Sequence, residues 1–516
     1  VISSVALQGL ASIAVRVEVH LSTGLPAFSV VGSADARVKE SRERVRSAIA
    51  CSGFNFPSGR VTVNLAPADL PKDSGRYDLP IALGILLASG QLNGADRGPD
   101  KLHATIFAGE LSLTGAVVPI TGALAIALSV ARQGEGLSLV LPLSDAGIAA
   151  QIPEVSVFGV ATLEQAVQFF YGGVARTRAK PVPAAGSDTH RLCMSDVYGQ
   201  AQARRVLEVA AAGGHSVLLC GPPGVGKSML AQRLPGLLPA LSPRQSLEVA
   251  AVTGLRLGQP VPPVVSPPFR APHHTSTAAA LLGGGAVARP GEISLSHGGV
   301  LFLDELPHFD RRALEGLREP LEQGQVSIAR AARTLVYPAG FQLVAAMNPC
   351  PCGWRGHTSA RCLCSDDAVT RYRRTLSGPL LDRIDLQITL STHPSVSSGA
   401  PVPESSAAIA RRVAAVRALQ VERQGLPNAR LSAADIRRYC ELDQEGGALL
   451  ARAQTQWAWS TRVVHRVLRV AQTIADLAGC PCITVQHLAE AAQYRQPWPD
   501  DVQQRVGSPI ERHPGK

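Results

Sequence analysis

Ser216–Ser228, SVLLCGPPGVGKS, is the stretch whose reading decides the fold of this chain. Val217–Cys220 is a short apolar run that reads as a buried strand. It breaks into Gly221-Pro222-Pro223-Gly224-Val225-Gly226-Lys227-Ser228, which fits the pattern G-x-x-x-x-G-K-[ST]. In that pattern the glycines let backbone N–H groups turn inward around phosphate oxygens. The lysine reaches the β- and γ-phosphates, and the hydroxyl sits on Mg²⁺. Met229–Leu234 can open a helix whose positive end faces the same anion. The competing reading is a surface turn. The strand before the loop and the helix formers after it speak against that.

Composition sets the frame outward from this loop. A chain of 516 residues, 46% hydrophobic and 17% charged, can bury ample core and divide into roughly two to four domains. A net charge of +10 permits a polyanionic partner without requiring one. No run of ~18 apolar residues is free of charges and breakers, so no membrane span is expected. The first residues, VISSVALQGLASIAVRVEVH, lack a basic segment followed by a small-residue cleavage site. Scattered cysteines without a compact disulfide framework suit a reducing cytoplasm.

Residues 1–172 form a first unit of mixed strands and helices, an α+β or α/β domain. Val15–His20 alternates apolar and polar residues, Asp35–Ala50 reads as an amphipathic helix, and Arg60–Leu65 as another strand. Residues 173–190 are Pro/Gly/Ala-rich and read as a linker. Residues 191–392 carry the phosphate loop within an α/β pattern with a parallel sheet. Val300–Leu303 is an apolar strand that ends in Asp304-Glu305, about 80 residues after the loop. Asp304 would hold Mg²⁺ through water, and Glu305 would polarise the attacking water. Phe341–Met347 is a further buried strand, ending at Asn348. Residues 393–404 read as a second linker, 405–495 as an all-helical lid, and 496–516 as a polar tail.

Three further features bear on chemistry. His273-His274 lies in a Gly-rich segment that runs to Gly283-Gly284-Gly285. Adjacent histidines rarely chelate together, which favours a pore-facing or structural role. Gly324–Pro338 reads as a β-hairpin with Arg330 and Arg333 at its tip. Basic tips lining a ring would contact a phosphate backbone without base specificity, the alternative being a solvated hairpin. Cys350-Pro351-Cys352 and Cys362-Leu363-Cys364 form a C-x-C…C-x-C cluster with nine residues between the pairs. Four thiolates can hold a tetrahedral structural Zn²⁺; free thiols in a loop are the alternative.

These motifs carry resemblances. Pro71-Lys72-Asp73 and the GELSLTG…PITG segment from Gly109 to Gly122 are similar to the proteolytic domain of Lon. There the first segment leads to a catalytic Ser and the second to a catalytic Lys. Here Arg76 and Leu124 stand at those positions, so the expectation is a Lon-like domain lacking the Ser–Lys dyad, with Ser74 a displaced candidate nucleophile. The order of Lon-like unit, AAA+ core with FRAPHHTS and AAMNPCPCG, and lid with TRVVHRVLRVAQTIADLAG resembles the ComM/YifB family, also described as magnesium-chelatase-like.

That resemblance implies a hexameric ring that hydrolyses ATP with Mg²⁺ and acts on single-stranded or branched DNA. The implied activity is a helicase promoting branch migration in recombination or transformation, beside other recombination proteins. It carries phosphate-loop and Walker roles to Lys227, Ser228, Asp304 and Glu305, and the sensor-1 role to Asn348. It carries the arginine-finger role, reaching a neighbouring subunit's γ-phosphate, to Arg383. Arg462 resembles the sensor-2 arginine that folds back on the nucleotide. The alternatives are a magnesium-chelatase-type motor or a protein-remodelling ATPase.

Overall fold

The computed structural model describes residues 1–32, 36–68, 70, 72, 75–92, 104–134, 136–170, 177–183, 192–285, 288–330, 333–357, 361–390 and 403–495. Among the described residues the fold is α/β, with two large sheets, three two-stranded ladders and a helical C-terminal part.

The first sheet has seven strands: β1 (Ile2–Gln8), β2 (Ala11–Ser22), β3 (Ala27–Val31), β4 (Arg60–Ala66), β5 (Thr105–Phe107), β6 (Ser138–Pro142) and β7 (Ser156–Val160). Their spatial order is β3-β4-β2-β1-β5-β6-β7. β2 pairs antiparallel with β1 and β4, and β5, β6 and β7 run parallel, so the sheet is mixed. The helix Ala36–Cys51 forms where an amphipathic segment was expected. The apolar helix Asp78–Ala88 is buried along most of its length and, with Val45 and Ile49 from the preceding helix, fills one face of the sheet.

The second sheet holds β8 (Val217–Cys220), β9 (Phe269–Arg270), β10 (Val300–Leu303), β13 (Gln342–Met347) and β14 (Leu386–Thr389) in the order β9-β10-β13-β8-β14, all parallel. Between β10 and β13 the strands β11 (Gln325–Arg330) and β12 (Arg333–Pro338) form the expected hairpin, with Arg330 and Arg333 as its closing register pair. The side chains of those two arginines lie outside the described residues, as does Ser74.

Alternation of side chains along these strands builds two cores. Val217, Leu219, Val300, Phe302, Val344 and Ala346 face the helix Ala201–Gly213 and the C-terminal helices. Leu218, Leu301, Leu303, Leu343 and Ala345 face the hairpin residues Val326, Ile328, Leu335 and Tyr337. Both faces being covered explains why these strands are apolar without a break.

The C-terminal part consists of helices Ser406–Gln424, Ala433–Tyr439, Gln444–Trp457, Thr461–Leu477 and Val485–Gln493. Serine N-caps at Ser405, Ser432 and Ser460 accept backbone N–H groups and set three of the starts. No helix among the described residues is long and apolar enough to cross a membrane.

Candidate functional site

The phosphate loop leaves the C-terminal end of β8 and enters the helix Lys227–Arg233. Gly226 caps that helix at φ +92°, a left-handed conformation that disfavours residues with a Cβ. Lys227 is buried. Its Nζ donates to Gly221 O at 2.7 Å, Pro222 O at 3.0 Å and Asn348 Oδ1 at 3.0 Å. Burial pushes the ammonium pKa down, while the charges of Asp304, Cys220 and Glu305 push it back up. Ser228 Oγ donates to Asp304 Oδ2 at 2.8 Å. A hydroxyl beside a carboxylate is the hard-oxygen donor pair that Mg²⁺ takes, so these residues fit the ion.

Asp304 and Glu305 follow β10, and Asn348 follows β13, so all of these groups converge at the C-terminal ends of three adjacent parallel strands. That is where an open α/β sheet binds ligands. Asp304 Oδ1 accepts the Glu305 N–H at 2.9 Å. Glu305 has φ +53°, an uncommon left-handed conformation for a residue with a side chain.

One contact was not legible in advance. His274 Nδ1 lies 3.2 Å from Glu305 Oε2, so the histidine of the Gly-rich segment addresses the carboxylate expected to polarise water. The imidazole of His274 also lies beside that of His308, at 5.9 Å between ring centres. The remainder of the segment, Ala278–Leu282 and the Gly283–Gly284/Arg289–Pro290 ladder, packs against the hairpin. Tyr337 Oη donates to Ala288 O at 3.0 Å.

Arg383 and Arg462 are not at this end. Asp385 precedes β14, and its Oδ2 accepts the N–H of Ser216, which precedes β8. This fixes the region at the N-terminal ends of the strands. Arg383 is buried there, with Nη2 2.7 Å from Glu322 Oε1 and Nη1 donating to Pro379 O at 2.8 Å. It pairs with neither Asp382 nor Asp385.

Arg462, His465, Arg466 and Arg469 line a cleft of about 590 Å³ with Arg383 and Arg430. Five guanidiniums there face two carboxylates, Glu322 and Asp385. Burial opposes ionisation of Asp385, yet Arg466 and His215 outweigh it and hold that carboxyl well below the usual range. Burial pulls Arg430 and Arg469 below the ordinary guanidinium range. The cleft is therefore short of negative charge. Arg462, likened to a sensor-2 arginine that folds back on the nucleotide, lies in this cleft and not beside Lys227. The helix Thr461–Leu477 packs under the sheet, with Thr473 Oγ1 2.8 Å from His215 Nε2, and its first turn opens into the cation cleft.

In the first domain, Arg76 Nη2 donates to Thr121 O at 3.4 Å, next to the helix Ala123–Ala131 that carries Leu124. Arg76 and Leu124, at the positions likened to the Lon dyad, are both buried. The nearby Asp78 is bound by Arg44 at 2.7 Å, yet burial raises its pKa to about 6.

Family models match three consecutive parts of the chain: subunit ChlI of Mg-chelatase at 17–145, magnesium chelatase subunit ChlI at 193–397, and the ChlI C-terminal part at 403–495. The chain is 45% identical to YifB of Escherichia coli over 488 residues, covering 93% of this chain and 94% of that protein. It is 43% identical to the competence protein ComM of Haemophilus influenzae over 502 residues, covering 96% and 97%. The chain belongs to the ComM/YifB family. A more distant match, 26% over 162 residues, is the magnesium-chelatase 67 kDa subunit of Chlorobaculum parvum, covering 31% of this chain and 23% of that one. As a ComM/YifB member with this phosphate site, the chain has an AAA+ ATPase-type function. The two cysteines of AAMNPCPCG, Cys350 and Cys352, gather with Cys362 and Cys364 just beyond Asn348.

Proposed function

We propose that this chain is a ring-forming, ATP-hydrolysing DNA motor, a hexamer that drives branch migration of recombining strands. The observation that carries the reading is the polarity of the second sheet. The phosphate site occupies one end and a cleft rich in guanidinium groups occupies the other. Stacked head to tail, each copy would offer Arg383 and Arg462 to the γ-phosphate held by its neighbour. There a guanidinium offsets the charge of the transition state. Lys227 and Ser228 would bind ATP and Mg²⁺, Asp304 would hold the ion, and Glu305 and Asn348 would orient water.

DNA as the track is supported by the hairpin β11–β12, by the surplus of 50 Lys and Arg over 40 Asp and Glu, and by kinship with a competence protein. The hairpin would carry Arg330 and Arg333 to the phosphate backbone.

The test is ATP-dependent branch migration of a labelled four-way DNA junction, with Lys227→Ala as the control. Loss of the junction with wild type alone supports the reading. ATP hydrolysis that neither moves the junction nor responds to DNA would favour a chelatase-type or protein-remodelling motor, the reading suggested by the magnesium-chelatase matches.

A further inference from the structure

Cys350 leaves the end of β13 two residues after Asn348. The four sulfurs of Cys350, Cys352, Cys362 and Cys364 lie within 4.8 Å of one another. Cys350 Sγ is 3.3 Å from Cys352 Sγ and 3.7 Å from Cys362 Sγ, and Cys352 and Cys362 are 3.6 Å apart. All four are free thiols. Sulfurs arranged tetrahedrally around one ion at a Zn–S distance of about 2.3 Å would stand about 3.8 Å apart. The observed spacing is that of a cage for a single ion. A polynuclear iron–sulfur cluster spreads its thiolates over several irons and needs a wider cage.

The turn that carries the first pair is built against the nucleotide site. Gly353 has φ +83°, and a Cβ there would come within 2.8 Å of Pro223 Cδ in the phosphate loop. Asn348 in turn accepts from Lys227. The return segment is pinned to the first: Arg361 stacks over Trp354 at 5.3 Å, and Asp366 pairs with Arg355 at 2.7 Å. The two cysteine pairs thus belong to two segments already held to each other, and the four thiols meet where those segments adjoin.

We propose that Cys350, Cys352, Cys362 and Cys364 bind one structural Zn²⁺, which locks the turn at Gly353 onto the phosphate loop and so holds Asn348 on Lys227. Four protein ligands close the coordination sphere, so the ion is not a second hydrolytic centre. Its seating role rests on the ATPase reading above; its existence does not.

The test uses the full chain purified without chelators. Zinc and iron per chain are measured by mass spectrometry for wild type, Cys352→Ser, Cys364→Ser, Cys364→His and, as a control outside the cluster, Cys480→Ser. One zinc per chain is expected in wild type, in the control and in Cys364→His, because imidazole is also a tetrahedral zinc ligand. Both serine variants should lose it. With zinc lost, kcat for ATP should fall about tenfold to a hundredfold through misplaced Asn348 and Lys227, with Cys364→His restoring most of it. Circular dichroism checks that the serine variants are folded.

Wild type without zinc, iron in its place, or zinc retained by both serine variants would overturn the site. Zinc lost from folded variants with kcat unchanged would overturn the seating role. Wild type that holds one zinc but hydrolyses no ATP would remove the ATPase reading and the seating role together, and would support the metal site.

Discussion

Two variants that are each inactive should recover activity when mixed. Lys227→Ala removes the ammonium of the phosphate loop, and Arg462→Ala removes a guanidinium from the cleft at the far end of the sheet. Within one chain these ends are separated by the length of β8, four residues or about 13 Å. The lid is also tethered at the far end, where Arg466 is bound to Asp385 and donates to Arg383 O at 3.0 Å. Arg462 is exposed, so its truncation should cost little stability. Loss of a guanidinium that stabilises phosphoryl transfer costs about 10³-fold or more in rate.

In an equimolar mixture assembling at random, a working interface needs the phosphate loop of an Arg462→Ala chain facing the cleft of a Lys227→Ala chain. That occurs at about a quarter of head-to-tail interfaces. With interfaces firing independently, the mixture should hydrolyse ATP at about one quarter of the wild-type rate, roughly several hundredfold above either variant alone. Phosphate release measured across a series of mixing ratios checks this. If Arg462 served its own chain's nucleotide, no mixture would contain a complete site. A flat line at the single-variant rate would then refute the shared-site argument.

Three other outcomes follow from the geometry. His274→Ala should lower kcat about tenfold with the KM for ATP unchanged, because Glu305 loses the partner that orients it, and His274→Gln should keep most of the rate. For Asp78, the folded chain holds its proton more tightly than the unfolded chain does. Stability should therefore fall as pH rises from about 4 to about 6, by up to about 3 kcal/mol, and denaturant unfolding of Asp78→Asn should lack that slope. Replacing both Arg330 and Arg333 with Ala should weaken DNA binding and reduce the log–log salt slope by about two, measured by fluorescence anisotropy.

The phosphate end of the site was legible because its groups are each fixed by a local pattern: a strand, then a polar residue at the strand's end. Asp304, Glu305 and Asn348 need only their own strands to be placed, and parallel pairing then brings them to Lys227. The place of Arg462 in the fold was not legible because it depends on which surface a helical bundle packs against. The 3.6-residue period of Thr461–Leu477 shows a buried stripe but not what buries it. The contact of His274 with Glu305 depends on β9, a two-residue strand too short to register as a pattern. Had Phe269–Arg270 been read as the strand beside β10, the next loop would have been placed over Glu305. In the first domain, β1 has buried residues on both faces, so Ile2–Gln8 shows no alternation to betray it.

The polarity of the second sheet also bears on what the first domain can do. On the shared-site reading proposed above, half-sites at opposite ends of one sheet would meet a second copy heterologously, so the contact would either close into a ring or run on as a filament. The helix Pro243–Leu257 of the core is joined to the first domain by packing of Ala250, Ala251 and Val252 against Leu124 and Leu128. Arg132 pairs with Glu248 at 3.1 Å, and Thr121 donates to Gly258 O at 3.4 Å across the same seam. A first domain fastened through buried apolar contacts travels with its core as the core moves. Leu124, at one of the positions likened to a peptidase, then serves as packing for that seam. Substitutions at Leu124 should accordingly be read out in stability before they are read out in any hydrolysis of peptides.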